Sequence, residues 1–350
     1  MADVIKDAAY YLNLLLLTPV ILCGLVGNCL SMLTWSRGCH RDTSTAVILT
    51  ALAVADTVVL LLPALEFWLA TVMGMWIRLE NIVTCKLFGF SSYFGPSLSS
   101  WIIVLVTAER FVSIWFPVKV RFVCTRLKVK IIILFMCIII AGIYSPFLVF
   151  MKLFDTTDYT MMETNGTNQT FRKCDTLENG TFHQIYFPIW MWMDLCILFM
   201  IPFVIIVLGN SLVLYKILKS RQILIREGRY LSYRTRIANS FTIRAIAISI
   251  TFLVCLLPVT THEVYLIHTG DRLPMVAYSL IHILLYANSA FNFILYCAIG
   301  SGFRKDLKKV ISNLFGRKKV RLDHSEPTFN ANNAMAAKKK NLIPESGLLA

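Results

Sequence analysis

The chain has 350 residues, 57% hydrophobic and only 15% charged, with a formal net charge of +14. A mean hydropathy of +0.66 excludes an ordinary soluble domain, because a chain this long cannot hide so much apolar surface from water. The basic residues fall between apolar stretches rather than in one soluble segment, which argues against nucleic acid as a partner.

A helix needs roughly 20 apolar residues to cross a bilayer. Seven stretches qualify: 12–35, 46–71, 85–115, 129–151, 187–217, 243–268 and 275–299. The expected fold is an all-α membrane protein, a seven-transmembrane helix bundle with a short amphipathic eighth helix. Residues 1–11 form a short acidic N-terminus. No cleavable signal is evident, so the first span is expected to act as its own anchor. The second span carries Asp56 within Leu52-Ala53-Val54-Ala55-Asp56. A carboxylate in hydrocarbon is costly unless paired or hydrated, so it marks a functional site. The third span opens at Cys85 and ends at Glu109-Arg110-Phe111.

Lys and Arg set the orientation. The loops after spans 2 and 6 carry chiefly Arg78 and Arg272. The loop after span 3 has Lys119, Arg121 and Arg126. The loop after span 5 has Lys219, Arg221, Arg226, Arg229, Arg234 and Arg236, and the tail has Arg304, Lys305, Lys308, Lys309 and more. The C-terminus is therefore expected in the cytoplasm and the N-terminus outside, in a multi-pass protein of the plasma membrane. Three glycosylation sequons, at Asn165, Asn168 and Asn179, all lie in the loop between spans 4 and 5, on the predicted outer side. Cys85 and Cys174 share that oxidising side. A disulfide between them would pin the loop over the bundle mouth, and two unpaired thiols are the alternative.

After the seventh span, residues 302–315 place Phe303, Leu307, Val310, Ile311, Leu314 and Phe315 on one helical face with Lys and Arg opposite. That pattern predicts a helix lying on the anionic leaflet of the lipid bilayer. No cysteine follows it to accept a palmitoyl chain. Residues 316–350 are polar and expected to be disordered.

The motifs taken in order resemble the rhodopsin-like (class A) G-protein-coupled receptors. They are Gly27-Asn28, Leu52 through Asp56, Cys85, Glu109-Arg110-Phe111, Pro202, Phe252 with Cys255-Leu256-Leu257-Pro258, and Asn292-Phe293-Ile294-Leu295-Tyr296. Residues 12–301 would be the seven-transmembrane domain. The resemblance implies a heterotrimeric G protein as partner and no catalysis. It implies a polar pocket of Asn28, Asp56, Ser99, Asn288, Ser289 and Asn292, in which Asp56 and Ser99 hold a sodium ion as an allosteric ligand. A hard cation fits such oxygen donors. The alternative for each Ser or Asn is an interhelical hydrogen bond. No other cofactor is implied.

The resemblance also assigns a switch to Glu109, Arg110, Val118, Thr242, Asn292 and Tyr296, driven by outward movement of the sixth helix. Neighbours on a helix point about 100° apart, so contact between Glu109 and Arg110 is not assured. The acid that many relatives carry at the foot of span 6 reads Ala238 here, among Arg234, Arg236 and Arg244. Thr242 offers a hydroxyl instead, and appreciable basal activity is expected. Pro202 and Pro258 each remove a backbone hydrogen bond and permit a bend. Other departures are Leu256, Phe293, Asn210 and Ser100 at places where the family usually has tryptophan, proline, tyrosine and a branched apolar residue. Ser312, Ser325, Thr328 and Ser346 are a sparse set of phosphorylation sites for a receptor kinase and arrestin.

By the same resemblance the outer half of the bundle takes the ligand. Amine receptors have an acid where Ser92 stands, and photopigments have a lysine where Tyr286 stands, so neither pattern fits. Glu66, Asp194 and Glu263 lie in outer halves with Tyr93, His262, Tyr278, His282 and Tyr286 around them. An acidic, aromatic-lined cup suits a ligand with a guanidinium or amine and a ring. Glu66 is the expected anchor, and a salt bridge or solvated rim charge is the alternative for each acid. His262 and His282 lack metal-ligand spacing and read as satisfied polar contacts. Residues 110–126 resemble invertebrate neuropeptide receptors for Phe-Met-Arg-Phe-amide and the thyrotropin-releasing-hormone kind, implying an extracellular peptide ligand. A chemosensory or small-molecule receptor is the alternative of the same fold. A transporter would show paired repeats and broken helices, and no internal repeat is evident.

Overall fold

The computed structural model describes residues 2–39, 41–157, 170–175, 187–226, 233–269 and 273–315. Residues 1–310 form one compact unit and 311–350 another. Of the second, only the end of the last helix is described. Seven helices are long and apolar enough to cross a membrane, as expected.

Helix α1 consists of Ala2–Leu12, a π-helical turn Asn13–Leu17 and Thr18–Arg37. It starts ten residues before the expected span, so the short acidic N-terminus is helical. Helix α2 is Ser44–Val59, the π turn Leu60–Ala64 and Leu65–Val72. Helix α3 is Ile82–Trp115 and α4 is Arg126–Phe150. A hairpin follows, β1 Lys152–Thr157 antiparallel to β2 Thr170–Asp175, with Leu153 opposite Cys174. Helix α5 is Phe187–Leu195, the π turn Cys196–Met200 and Ile201–Arg226. Then come α6, Tyr233–Thr269, α7, Met275–Ile299, and α8, Ser301–Phe315.

Local chemistry sets the ends. Thr43 and Thr125 cap α2 and α4 by accepting from the backbone N–H groups of Ala46 and Lys128. Asn81 and Thr84 form a reciprocal capping box at the start of α3. Gly74, at φ +68°, makes a left-handed turn after α2 that a side chain would strain. Each π turn adjoins or contains a proline: Pro19, Pro63 and Pro202. A proline ring clashes with the carbonyl four residues back, and the wider turn relieves that crowding. Pro258 sits inside α6 with no such turn.

Helix α3 runs through the middle, against α2, α4, α5 and α6, while α1 packs on α2 and α7. The core between them is Leu52, Ile102, Ile103, Ile248, Phe252 and Tyr296. Leu256, at the place of the usual tryptophan, is buried there too. The first turns of α8 differ from expectation. Phe303 and Val310 are buried, Phe303 packs on Trp35, Phe293 and Tyr296, and Asp306 accepts the Cys39 backbone N–H at 3.0 Å. Phe303 and Val310 of the apolar face therefore pack against protein, while Leu307 and Ile311 stay half-buried.

Gly24 sets how closely α1 meets α7. A Cβ there would lie 2.9 Å from Ala290 Cβ and 3.2 Å from its Cα. Gly24→Val is expected to force the helices apart, at a cost of about 1–3 kcal/mol for overpacking. A drop in the thermal midpoint of the solubilised protein checks this. Gly142→Ala, where a Cβ meets nothing within 4 Å, is expected to leave the midpoint unchanged.

Candidate functional site

The polar residues collect at three levels. At the first, Cys85 and Cys174 are disulfide-bonded, joining β2 to the start of α3. Beside this end of the bundle, Arg78 comes from the short turn Ile77–Leu79 and grips Glu66 with both arms. Nε donates to Oε1 at 2.6 Å and Nη2 to Oε2 at 2.7 Å. Nη2 also donates to Ser92 Oγ at 3.0 Å. Burial alone would pull the Arg78 pKa down, but the hydrogen bonds and charge of Glu66 outweigh it and leave the pKa raised. The expected anchor is thus an occupied carboxylate, held by the alternative weighed for it. Next to it, Tyr286 donates to the Pro63 carbonyl at 3.2 Å. His282 stacks on Phe67 at 5.0 Å and lies tilted against Tyr278 at 4.0 Å, and its Nδ1 lies 2.8 Å from the Tyr278 carbonyl.

Across the same level, Asp194 on α5 accepts the Tyr144 hydroxyl at 2.6 Å, and that hydroxyl lies 2.6 Å from Ser97 Oγ. Tyr93 packs against Phe147 at 4.8 Å and edge-on against Trp190 at 4.5 Å. Glu263 has a side chain 42% exposed, and its nearest base is His262 Nδ1 at 3.9 Å. His262 departs from expectation. It is buried, and neither ring nitrogen has a hydrogen-bond partner among the described residues. Among the described residues its ring neighbour is Tyr278, edge-on at 5.8 Å.

At the middle level Asp56 is fully buried. Ser99 Oγ donates to Oδ1 at 2.8 Å and Asn292 Nδ2 to Oδ2 at 2.7 Å. Among the described residues no lysine or arginine pairs with it. Asn28 donates to the Ser289 carbonyl at 3.0 Å, and its own side-chain oxygen is buried without a partner among the described residues.

At the far end Glu109 and Arg110 do meet. Arg110 Nε donates to Glu109 Oε2 at 3.0 Å and Nη2 closes on the same oxygen. Ser44 and Thr45 donate to Oε1 at 2.8 and 2.7 Å. The charged pair is therefore tied to the start of α2, a contact that sequence reading did not anticipate. Thr242 is buried. Val118 stands 74% exposed in the turn after α3. Tyr296 is buried edge-on to Trp35 at 5.6 Å, and its hydroxyl has no partner among the described residues. Arg244 lies over the other face of this cluster, 5.9 Å from the Trp35 ring. Asn165, Asn168, Asn179, Arg272 and the tail serines and threonine beyond 315 lie outside the described residues. Tyr144 and Ser97 were also missed. Their only signal in the sequence is a polar group inside an apolar run.

A single buried acid at mid-bundle, a charged pair at one end and a disulfide-pinned mouth at the other define a seven-helix receptor. The chain matches the model of the 7 transmembrane receptor (rhodopsin family) over residues 27–296, and it belongs to that family of G-protein-coupled, non-catalytic receptors. It is related distantly to neuropeptide receptors. It is 36% identical to the thyrotropin-releasing hormone receptor of Mus musculus over 130 residues, which cover 37% of this chain and 33% of that receptor. It is 24% identical to an FMRFamide peptide receptor of Caenorhabditis elegans over 317 residues, 84% of this chain and 68% of that receptor. It is 23% identical to the FMRFamide receptor of Drosophila melanogaster over 299 residues, 81% of this chain and 50% of that receptor. The matched stretch thus spans only about a third of the thyrotropin-releasing hormone receptor's length.

Proposed function

We propose that this chain is a plasma-membrane receptor for an extracellular amidated peptide with a basic residue, and that it activates a heterotrimeric G protein when α6 moves outward. The disulfide end faces outside, because a disulfide persists in an oxidising compartment and the Lys- and Arg-rich loops belong on the cytoplasmic side. The observation that carries the ligand class is the pair of acids at that end which no lysine or arginine occupies among the described residues, Asp194 and Glu263, on the level that also holds Tyr93, Tyr278, His282 and Tyr286. Similarity to receptors named for FMRFamide and thyrotropin-releasing hormone supports a peptide. Val118 stands exposed on the side that meets the G protein, Arg110 and Tyr296 are buried beneath it and would be uncovered when α6 moves, and a receptor kinase and arrestin act on the same side. Calcium and cyclic AMP are measured together in cells expressing the chain and given amidated peptides with Arg-Phe-amide ends. A response is expected. Silence to every peptide at sound surface expression would move the reading to a small-molecule ligand.

The donors around Asp56 fit a sodium ion: a buried carboxylate without a cationic partner, the Ser99 hydroxyl, and the unpartnered Asn28 oxygen on the neighbouring helix. Sodium there supplies the positive charge that the site lacks. Agonist affinity is expected to fall as sodium replaces a bulky organic cation in the buffer, and Asp56→Asn to remove that dependence. Equal affinity in both salts for the wild-type receptor would count against the site.

A further inference from the structure

The three acids of the cup are not equivalent. Glu66 has both oxygens filled by the Arg78 fork, which is itself steadied by Ser92. A ligand guanidinium at Glu66 would replace an intramolecular one that is already ordered, and would still bear the entropy cost of association. Asp194 and Glu263 lack such a partner. Among the described residues Asp194 accepts one neutral hydroxyl, Glu263 has a histidine nitrogen at 3.9 Å, and no lysine or arginine pairs with either. They stand on two helices that pack against one another, α5 and α6, so a cation entering between those helices can gain from both carboxylates.

An independent observation points to the same place. His262 is 5% exposed, and both its ring nitrogens are buried with no hydrogen-bond partner among the described residues. Leaving a buried polar group unpaired is costly. Nδ1 faces Glu263. A ligand group seated beside Glu263 meets an imidazole that has a donor and an acceptor to offer.

We propose that the basic group of the ligand is a guanidinium, held between Asp194 of α5 and Glu263 of α6 with His262 as its neutral partner, while Glu66 and Arg78 form a strut that holds the first outer loop. This rests on the reading of the chain as a receptor for a basic peptide. The planar guanidinium has five donors in a fixed fork, enough to reach two carboxylates on different helices, whereas an ammonium is a single point of charge. Bridging α5 to α6 also ties the ligand to the helix whose outward movement is proposed above.

The test uses the full-length receptor in detergent and two probes, the dipeptides Arg-Phe-amide and Lys-Phe-amide, read as concentration-dependent shifts of the thermal midpoint. Arg-Phe-amide is expected to raise the midpoint, with Lys-Phe-amide about tenfold weaker, the equivalent of one lost charge-assisted contact. Glu263→Gln and Asp194→Asn should each weaken Arg-Phe-amide by about tenfold or more. Glu66→Gln should lower the starting midpoint yet keep the dipeptide affinity. Glu263 is partly exposed, so its variant is expected to fold even if Asp194→Asn does not. The comparison of the two probes needs no variant at all. Loss of binding in Glu66→Gln with retention in Glu263→Gln would overturn the proposal, as would equal affinity for the two dipeptides. No shift with the wild-type receptor would also overturn this subsite, while the signalling assay with longer peptides judges the receptor reading separately.

Discussion

Glu109→Ala is expected to destabilise the receptor by about 3–5 kcal/mol, the range for removing one partner of a buried ion pair, and to raise basal signalling. Glu109 is 5% exposed. Its carboxylate receives the Arg110 guanidinium on one oxygen and the Ser44 and Thr45 hydroxyls on the other. Alanine leaves a buried guanidinium without its carboxylate and removes the acceptor that ties the start of α2 to α3. Glu109→Gln keeps the shape and the acceptor for the hydroxyls, so its loss should be smaller in stability while basal signalling still rises. The measurements are the thermal midpoint in detergent and second-messenger output without ligand. An unchanged midpoint in Glu109→Ala would show that the pair contributes nothing to the fold.

Removing the disulfide should have an effect of similar size. Cys174→Ser is expected to cost about 2–5 kcal/mol, because the bond closes a loop across a separation of 89 residues and its loss frees that loop in the unfolded chain. In the folded chain β2 would lose its tether to α3, and with it the β hairpin over the mouth. The paired variant Cys85→Ser, Cys174→Ser should lose no more than the single one, since both remove the same bond. Surface expression, thermal midpoint and response to peptide are the readouts. A paired variant much worse than the single one would mean that the buried Cys85 side chain matters by its packing and not through the bond.

Arg244 stands buried on α6 against Trp35, so this end of α6 is held to α1 by a cation–π contact, a restraint that works against the basal activity expected from the missing acid at the foot of span 6. Pro202 behaves as a proline inside an apolar helix must, with a π turn just before it. The π turns at Asn13–Leu17 and Leu60–Ala64 follow from Pro19 and Pro63 by the same crowding, though a sequence reading concerned with hinges passed over both.

The seven spans, their order, the helix caps and the family motifs are local properties. Each depends on a run of apolar residues or on a few neighbours along the chain, so the sequence by itself determined them to within a few residues at most ends. The disulfide also followed, because Cys85 and Cys174 fall on one side of the bundle. What the polar side chains do was decided by tertiary structure alone. Glu66 reads as a free anchor until the turn carrying Arg78 folds back over it. Asp194 reads as a lone acid until α4 presents Tyr144. Glu109 reads as a doubtful partner for its neighbour until α2 brings Ser44 and Thr45. His262 reads as a satisfied contact until packing leaves both its nitrogens bare. Partner choice depends on which faces of separate helices meet, and with successive residues turned by about 100°, a small rotation of one helix changes every such pair. Hydropathy fixes how long a helix must be, but it is nearly silent about that rotation.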